Sequence, residues 1–295
     1  MINSIYNIQN NYEYNMNNKF SSEQALIKAL TYFGSHINNQ LKGKAWVGHT
    51  PFAYWLVLTI KPKILVELGT HGGGSFFSFC QSVLDNGLDT RTYAVDTWLG
   101  EKHAGFYSET VFEEVFNFNK NHFASFSTLM RMKFDEASTK FEDGTIDLLH
   151  IDGFHSYEAV NNDFNTYHKK LSKDAVVLFH DTNEFKQGFG VHQFWNELKN
   201  KWPSQCFEFK HSHGLGIFFP NSPNAATNFK NKLILDLEKF INIFTIIGDE
   251  IYYKMNGRYS LAKNIQLNLD QLLDMIKKIK NENPQVFEKI KTVLK

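Results

Sequence analysis

The chain has 295 residues, enough for one α/β domain of about 200 residues with appendages or for two small domains. Lysine plus arginine and aspartate plus glutamate number 31 each, so no net charge draws the protein towards nucleic acid or an anionic membrane. Two distant cysteines exclude a disulfide framework, no apolar run reaches the roughly 18 residues of a membrane span, and the N-terminal segment lacks the pattern of a secretory signal. We therefore expect a cytoplasmic protein with a small-molecule partner.

Composition divides the chain into three predicted parts. Residues 1–45 are predicted to form a flexible, asparagine-rich lead-in and one packing helix, which begins near Ser21 because Ser21 and Gln24 have capping-box spacing. Residues 46–221 are predicted to form the main domain. Residues 222–295 carry leucine and isoleucine at helical intervals, which predicts a helical appendage that could cap the domain or pair with a second subunit.

Short apolar runs alternate with helical patterns from residue 64 onwards, as in a parallel sheet that is covered on both faces. The predicted strands are Ile64–Glu67, Thr92–Asp96, Ser127–Met132, Ile146–Asp152 and Ala175–Asp181. Two further apolar runs after about Gln205 are joined by a turn at residues 211–214 and predict a closing antiparallel hairpin. The predicted fold class is α/β, with a doubly wound, mostly parallel sheet.

The first predicted strand leads into a glycine-rich turn, from Gly69 to Ser75, and then into a helix. Glycines at such a turn let a ligand approach the bare amides of a helix N-terminus. The glycine spacing differs from the dinucleotide fingerprint, and Glu67 places an acid at the strand end. We expect Glu67 to hold the ammonium group of a ligand, directly or through water, as S-adenosylmethionine (SAM) would require. The alternative is a tight turn without a ligand.

Asp96 closes the second predicted strand. An acid at the tip of this strand in a doubly wound sheet accepts hydrogen bonds from ribose hydroxyls, which indicates a nucleotide-like ligand. The alternative is that Asp96 only caps a helix.

Three side chains follow the fourth and fifth predicted strands: Asp152, His155 and Asp181. Ligands bind beyond the carboxyl ends of parallel strands, so the three should meet at one crevice if the strands are neighbours. Two convergent carboxylates suit a divalent cation such as Mg²⁺, and His155 has the ordinary pKa range of a general base. Helix capping or pairing with buried backbone is the alternative.

Two further histidines lie near these acids. His180, directly before Asp181, is a third candidate metal ligand, with a structural role as the alternative. His150 lies inside a predicted strand, so we expect it to be structural.

The acceptor site is expected in the segment between the second and third strands, from Trp98 to Phe126, which is longer than a simple crossover needs. Trp98 and Tyr107 are the candidate contacts, because aromatic rings suit the apolar faces of a sugar. Most phenylalanines of this segment are expected to pack on the core instead. Residues 182–190 are a second candidate wall.

Taken together, these residues resemble the class I SAM-dependent methyltransferases, and more narrowly the bacterial group associated with glycan and polysaccharide biosynthesis. The likeness spans residues 46–219 and is carried by the motifs Trp46-Val-Gly-His49-Thr-Pro51-Phe52-Ala53, Val66-Glu67-Leu-Gly69-Thr70, Tyr93-Ala-Val-Asp96-Thr97-Trp98, His103-Ala-Gly-Phe-Tyr107, Asp147-Leu-Leu-His150-Ile-Asp152-Gly-Phe-His155-Ser-Tyr157 and Leu178-Phe-His180-Asp181-Thr182.

The resemblance implies a seven-stranded sheet and a set of donor contacts. The implied donor residues are Gly69, Thr70, Gly73, Ser75, Asp96 and Thr97. The Asp152-x-x-His155 element with Asp181 looks like the metal and base set of metal-dependent sugar O-methyltransferases. This chain departs from those relatives at His180, where a further carboxylate tends to stand, and at His71, where glycine is usual.

The predicted function is SAM-dependent O-methylation of a small acceptor, expected to be a sugar or glycan precursor, with His155 as general base. The alternatives are an NAD-linked oxidoreductase on the same kind of sheet and a noncatalytic methyltransferase-like subunit. Nucleic-acid methylation is disfavoured, because neutral charge supplies no phosphate-tracking surface.

Overall fold

The computed structural model describes residues 25, 26, 28, 29, 45–101, 105–220 and 228–255. The predicted lead-in, the start of the N-terminal helix, His103 and residues 256–295 lie outside the described residues. No helix within the described residues is long and apolar enough to cross a bilayer.

A seven-stranded sheet forms the centre of the protein, as predicted. Across the sheet, the order of neighbouring strands is β5-β2-β1-β6-β7-β9-β8. β9 is antiparallel to β7, and β8 is antiparallel to β9. A separate hairpin, β3 with β4, lies in the long segment after β2. The strands are β1 (Ile64–Leu68), β2 (Arg91–Asp96), β3 (Gly100–Glu101), β4 (Gly105–Phe106), β5 (Ser127–Arg131), β6 (Ile146–Ile151), β7 (Leu171–His180), β8 (Cys206–Phe209) and β9 (Leu215–Phe218).

Helices cover both faces of this sheet. Within the described residues, the α-helices longer than one isolated turn are α1 (Thr50–Ile60), α2 (Gly74–Asp85), α3 (Glu109–His122), α4 (Phe134–Ser138), α5 (Tyr157–His168), α6 (Val191–Lys201) and α7 (Asn228–Met255). The first core lies under α1, α2, α3 and α7, and the second lies under α4, α5 and α6. Successive residues of a strand serve opposite faces, so Leu65 belongs to the first core and Val66 to the second. This is the doubly wound arrangement that the apolar runs predicted.

The C-terminal helix α7 packs on the first layer. Phe240 and Phe244 contact the ring of Trp55 in α1, with centroids 6.0 and 5.4 Å away. Near its end, Gly248 approaches Gly48 so closely that a Cβ atom on Gly48 would lie 2.7 Å from the Gly248 carbonyl oxygen. The described part of the appendage therefore packs against the sheet domain, while the predicted boundaries at residues 45 and 221 stay predictions.

Candidate active site

A cavity of about 640 Å³ opens at the carboxyl ends of β1, β2, β6 and β7. The order of the sheet reverses between β1 and β6, and doubly wound sheets bind ligands at this switch point. The volume lies within the usual range of small-molecule sites, about 300–1,000 Å³. Gly69 has a φ of +89°, and a Cβ there would lie 2.0 Å from the Asp152 carbonyl oxygen, so glycine is needed where the two strand ends meet.

The glycine loop and the end of β2 form one side of the cavity. Five of the predicted donor residues line it: Gly69, Thr70, Ser75, Asp96 and Thr97. Asp96 Oδ2 accepts hydrogen bonds from the backbone N–H groups of Thr70 and His71, both at 2.9 Å, which fixes the loop against β2. The Thr70 hydroxyl is buried without a hydrogen-bond partner among the described residues, as expected of a group that awaits a ligand. Gly73 is not among the lining residues and is instead the N-cap residue that precedes α2, with a φ of +80°.

Glu67 is fully buried and is not among the residues that line the cavity, which corrects the prediction of a direct contact with the donor. β1 continues one residue beyond the predicted end, and its alternation turns the Glu67 side chain into the first core. There Glu67 Oε2 accepts from His150 Nδ1 at 2.8 Å, and Trp46 Nε1 donates to His150 Nε2 at 3.2 Å. Burial raises the pKa of Glu67. His150 is structural, as expected, and the indole that it orients lines the cavity.

Asp152, His155 and Asp181 meet at the ends of β6 and β7. One ligand atom from each lies within 4.8 Å of the others, and His155 Nε2 lies 3.0 Å from Asp181 Oδ2. Asp181 has a φ of +61°, a conformation that non-glycine residues seldom adopt and that tends to persist at functional sites. Two carboxylates and an imidazole fit a hard divalent cation, and the same groups can orient a general base.

His180 lies between the two acids, and both of its ring nitrogens have partners. Its Nδ1 is 3.2 Å from Asp152 and 3.5 Å from Asp181, and its Nε2 donates to the Ser212 carbonyl at 3.0 Å. Burial opposes the charge, yet the two carboxylates hold the pKa of His180 well above its usual value. In turn, although burial disfavours their charged forms, His180 lowers the pKa values of Asp152 and Asp181. His180 is not among the three residues whose ligand atoms converge, and its predicted role as a metal ligand stays a prediction.

Of the two predicted acceptor contacts, Tyr107 lines the cavity and Trp98 does not. Tyr107 stacks on the ring of His71, with centroids 4.5 Å apart. Trp98 is 1% exposed, donates its indole N–H to the His71 carbonyl at 2.9 Å and packs on Phe112, so its assignment to the acceptor is corrected. The insertion buries this ring in the first core because α3 folds back onto the sheet.

The second predicted wall, residues 182–190, does line the cavity through Glu184, Lys186 and Phe189. Beside it stands His213, which sequence reasoning treated only as part of a hairpin turn. The sequence offered only the predicted closing hairpin; in the structure β9 pairs antiparallel with β7, with Leu215 opposite His180, so the turn before β9 lies at the ligand-bearing end of β7. Asp135 and Asp163, also on the cavity wall, carried no such signal.

Part of the chain is similar to a known protein family. Residues 66–182 match the family model described as a methyltransferase domain. The matched range carries the glycine loop, Asp96, Asp152 and Asp181.

Two curated relatives match parts of the chain. The protein y4gI of Sinorhizobium fredii is 48% identical over 175 residues, which are 59% of this chain and 19% of y4gI. A protein of Acanthamoeba polyphaga mimivirus is 32% identical over 127 residues, 41% of this chain and 52% of the viral protein. The chain thus spans about a fifth and about half of the lengths of these relatives.

Solved structures are more distant. A structure described as a caffeoyl-CoA O-methyltransferase from Staphylococcus aureus is 16% identical, with a TM-score of 0.47, over 74% of this chain and 99% of that one. The O-methyltransferase TomG from Streptomyces achromogenes, in complex with SAM, is 15% identical, with a TM-score of 0.46, over 70% and 93% of the two chains.

Proposed function

We propose that this protein is a SAM-dependent O-methyltransferase that methylates a hydroxyl of a small acceptor, a sugar or glycan precursor. The observation that carries the proposal is the meeting of Asp152, His155 and Asp181 in the same cavity as the glycine loop and Asp96. One end of that cavity suits a nucleoside, and the other suits removal of a proton.

The donor end fits SAM in its polar groups. Asp96 follows β2, where a carboxylate can accept from ribose hydroxyls, and Thr70 offers a buried hydroxyl. The N-terminus of α2, at Gly74 and Ser75, presents backbone amides to the cavity. Bound there, the donor supplies a methyl group on a positively charged sulfur.

His155 is proposed to take the proton from the acceptor hydroxyl. The oxygen then forms a bond to the methyl carbon as the bond from carbon to sulfur breaks, which leaves a methyl ether, S-adenosylhomocysteine (SAH) and a protonated His155. Asp181, 3.0 Å from His155 Nε2, stabilises that positive charge and orients the ring. Asp152 and Asp181 would hold a divalent cation such as Mg²⁺, which would favour the ionised form of the hydroxyl.

A sugar acceptor is supported by the chemistry of the remaining walls. Phe154, Phe189 and Tyr107 line the cavity together with charged groups of the loop after β7. Aromatic faces next to carboxylates match the apolar faces and the hydroxyls of a pyranose.

The deciding experiment measures methyl transfer by mass spectrometry. The protein is incubated with SAM and a panel of nucleotide sugars and glycans, with and without chelator. A gain of one CH₂ unit on an acceptor is expected, and the gain should fall with chelator if a metal takes part. No methylated product from any acceptor would contradict the proposal.

A thermal shift separates the alternatives, because a ligand that binds the native state raises its stability. SAM and SAH should raise the melting temperature, whereas NAD should not. A shift with NAD alone would favour the oxidoreductase, and a shift with SAM without turnover of any acceptor would favour a noncatalytic subunit.

A further inference from the structure

A hydrogen-bonded chain leads from the C-terminal helix to the cavity. Tyr252 of α7 places its hydroxyl 3.3 Å from His213 Nε2, and His213 Nδ1 lies 2.7 Å from Glu184 Oε2. An ionised carboxylate only accepts, so Nδ1 carries a proton towards Glu184, while Nε2 pairs with the Tyr252 hydroxyl. Both His213 and Glu184 line the cavity.

Glu184 keeps capacity for another donor. Its Oε2 accepts from Lys186 and His213, whereas Oε1 accepts from the N–H of Phe185 at 3.0 Å. A carboxylate has about four lone-pair sites, so Oε1 can take a further hydrogen bond. Burial opposes its charge, but Lys186 and His213 hold the pKa of Glu184 below its ordinary value. A charged oxygen with an open site on a cavity wall suits the hydroxyl of a ligand.

The backbone around Glu184 is tied down on both sides. Asn183 donates its N–H to the His213 carbonyl at 2.8 Å, and its side-chain amide donates to the Lys210 carbonyl at 2.9 Å. Ser212 and His213 have φ values of +48° and +68°, a strained turn that these contacts hold in place. We call residues 182–190 and 210–214 the acceptor wall.

The acceptor wall also touches the proposed base. Phe189 stacks on the His155 ring with centroids 4.7 Å apart, and Gly190 donates its N–H to the His155 carbonyl at 2.8 Å. Glu184 therefore belongs to the same loop as Phe189 and Gly190, the residues that contact His155, so a ligand group bound to Glu184 would lie on the acceptor side of the cavity.

From these contacts we infer that Glu184 is a specificity residue, which binds a second hydroxyl of a polyhydroxylated acceptor, and that His213 and Tyr252 are its positioning residues. The inference rests on the proposed function and extends it. Glu184, His213 and Tyr252 all lie beyond residues 66–182, so the recognition of the acceptor comes from outside the matched methyltransferase domain.

The test uses the full chain saturated with SAH and a panel of methyl hexopyranosides that differ at single hydroxyls, with dissociation constants measured by NMR titration. At least one glycoside should bind. Glu184→Gln should weaken it by about 10- to 100-fold, the range for hydrogen bonds to charged groups, while Glu184→Asp keeps part of the affinity. Tyr252→Phe should weaken it by about threefold to tenfold, because it loosens a positioning contact.

Tyr157→Phe is the matched control. It removes a tyrosine hydroxyl that donates to the carboxylate of Glu197 at 2.8 Å, outside the cavity. Glycoside binding should not change in this variant, and SAH affinity should not change in any of the four.

Methyl transfer supplies a second readout once an acceptor turns over. Glu184→Gln should raise the KM of that acceptor by a similar factor and change kcat by less than about threefold, because it removes ground-state and transition-state binding alike. A purely structural role would lower kcat, or weaken SAH binding as well.

Three results would overturn the inference: no glycoside binds the wild type, Glu184→Gln binds as well as the wild type, or Tyr252→Phe behaves as Tyr157→Phe does. The proposed function fails by different results, namely absent SAH binding or absent methyl transfer. The two failures are therefore distinguishable.

Discussion

Two clusters pair histidine with a carboxylate across neighbouring strands, and they differ in their access to the cavity. Glu67 and His150, on β1 and β6, are fully buried in the first core. Asp181 and His155, at and beyond the ends of β7 and β6, face the cavity, with side chains 9% and 16% exposed.

The difference shows that residue type alone does not separate a structural pair from a reactive one. A pair inside a strand can be satisfied only by its neighbours in the core, and here Trp46 donates to the second ring nitrogen of His150, while Glu67 Oε1 has no hydrogen-bond partner among the described residues. A pair past the strand end has one open side, towards the ligand. The buried cluster should therefore control stability, and the open cluster should control turnover.

The largest expected effect is on the open cluster. His155→Ala and Asp181→Ala should each reduce methyl transfer by about 10²- to 10⁴-fold, the usual contribution of a general base, while SAM still binds. Steady-state rates and calorimetric titration with SAM measure the two effects. The control His168→Ala removes an exposed histidine of α5 and should turn over as the wild type does. Normal turnover by both cavity variants would contradict the catalytic role proposed for His155 and Asp181.

The buried cluster should respond in stability. Glu67→Ala leaves His150 Nδ1 without its acceptor and should lower the free energy of unfolding by about 2–3 kcal/mol, as measured by urea denaturation. At a temperature where the variant is folded, its SAM affinity should match that of the wild type. A variant of unchanged stability that loses SAM binding would show instead that Glu67 belongs to the donor site.

Asp163 is an intermediate case, because it is buried like Glu67 and yet lines the cavity. Burial, with the nearby charge of Asp135, raises the pKa of Asp163 from 3.8 to about 7. Between these values the folded state keeps a proton that the unfolded state has lost, so the free energy of unfolding falls as pH rises from about 4 to 7.

Asp163→Asn removes this titrating group, so the free energy of unfolding of the variant should fall by about 2 kcal/mol less than that of the wild type between pH 5 and pH 8. Urea denaturation of wild type and variant at pH 5 and pH 8 measures it, and the variant should gain relative stability at pH 8. Parallel pH profiles would contradict the raised pKa.

The smallest expected effect is at the donor end of the open site. Asp96→Asn should weaken SAM binding by about tenfold, since a neutral amide replaces a charged acceptor for the ribose hydroxyls and the loop amides. Asp89→Asn, which changes an exposed ion pair with Lys63, is the control. Equal affinities in calorimetric titrations would remove Asp96 from the donor site.

Much of the fold was predictable because its signals are local. Apolar runs and helical spacing located the five parallel strands to within about one residue at most ends, although β7 begins four residues earlier than predicted, at Leu171 instead of Ala175. Asp96, Asp152 and Asp181 were predictable as site residues, because the ends of parallel strands share one edge of a sheet.

The sequence by itself determined the sheet, its ligand-bearing edge and the acids along it. Only the tertiary structure decided which side chains reach the cavity. One further residue in β1 turns Glu67 inward, and the fold of α3 buries Trp98. Tyr252, His213 and Glu184 come together from three separate segments, because only packing of α7 and the β8–β9 turn joins residues so far apart in the chain.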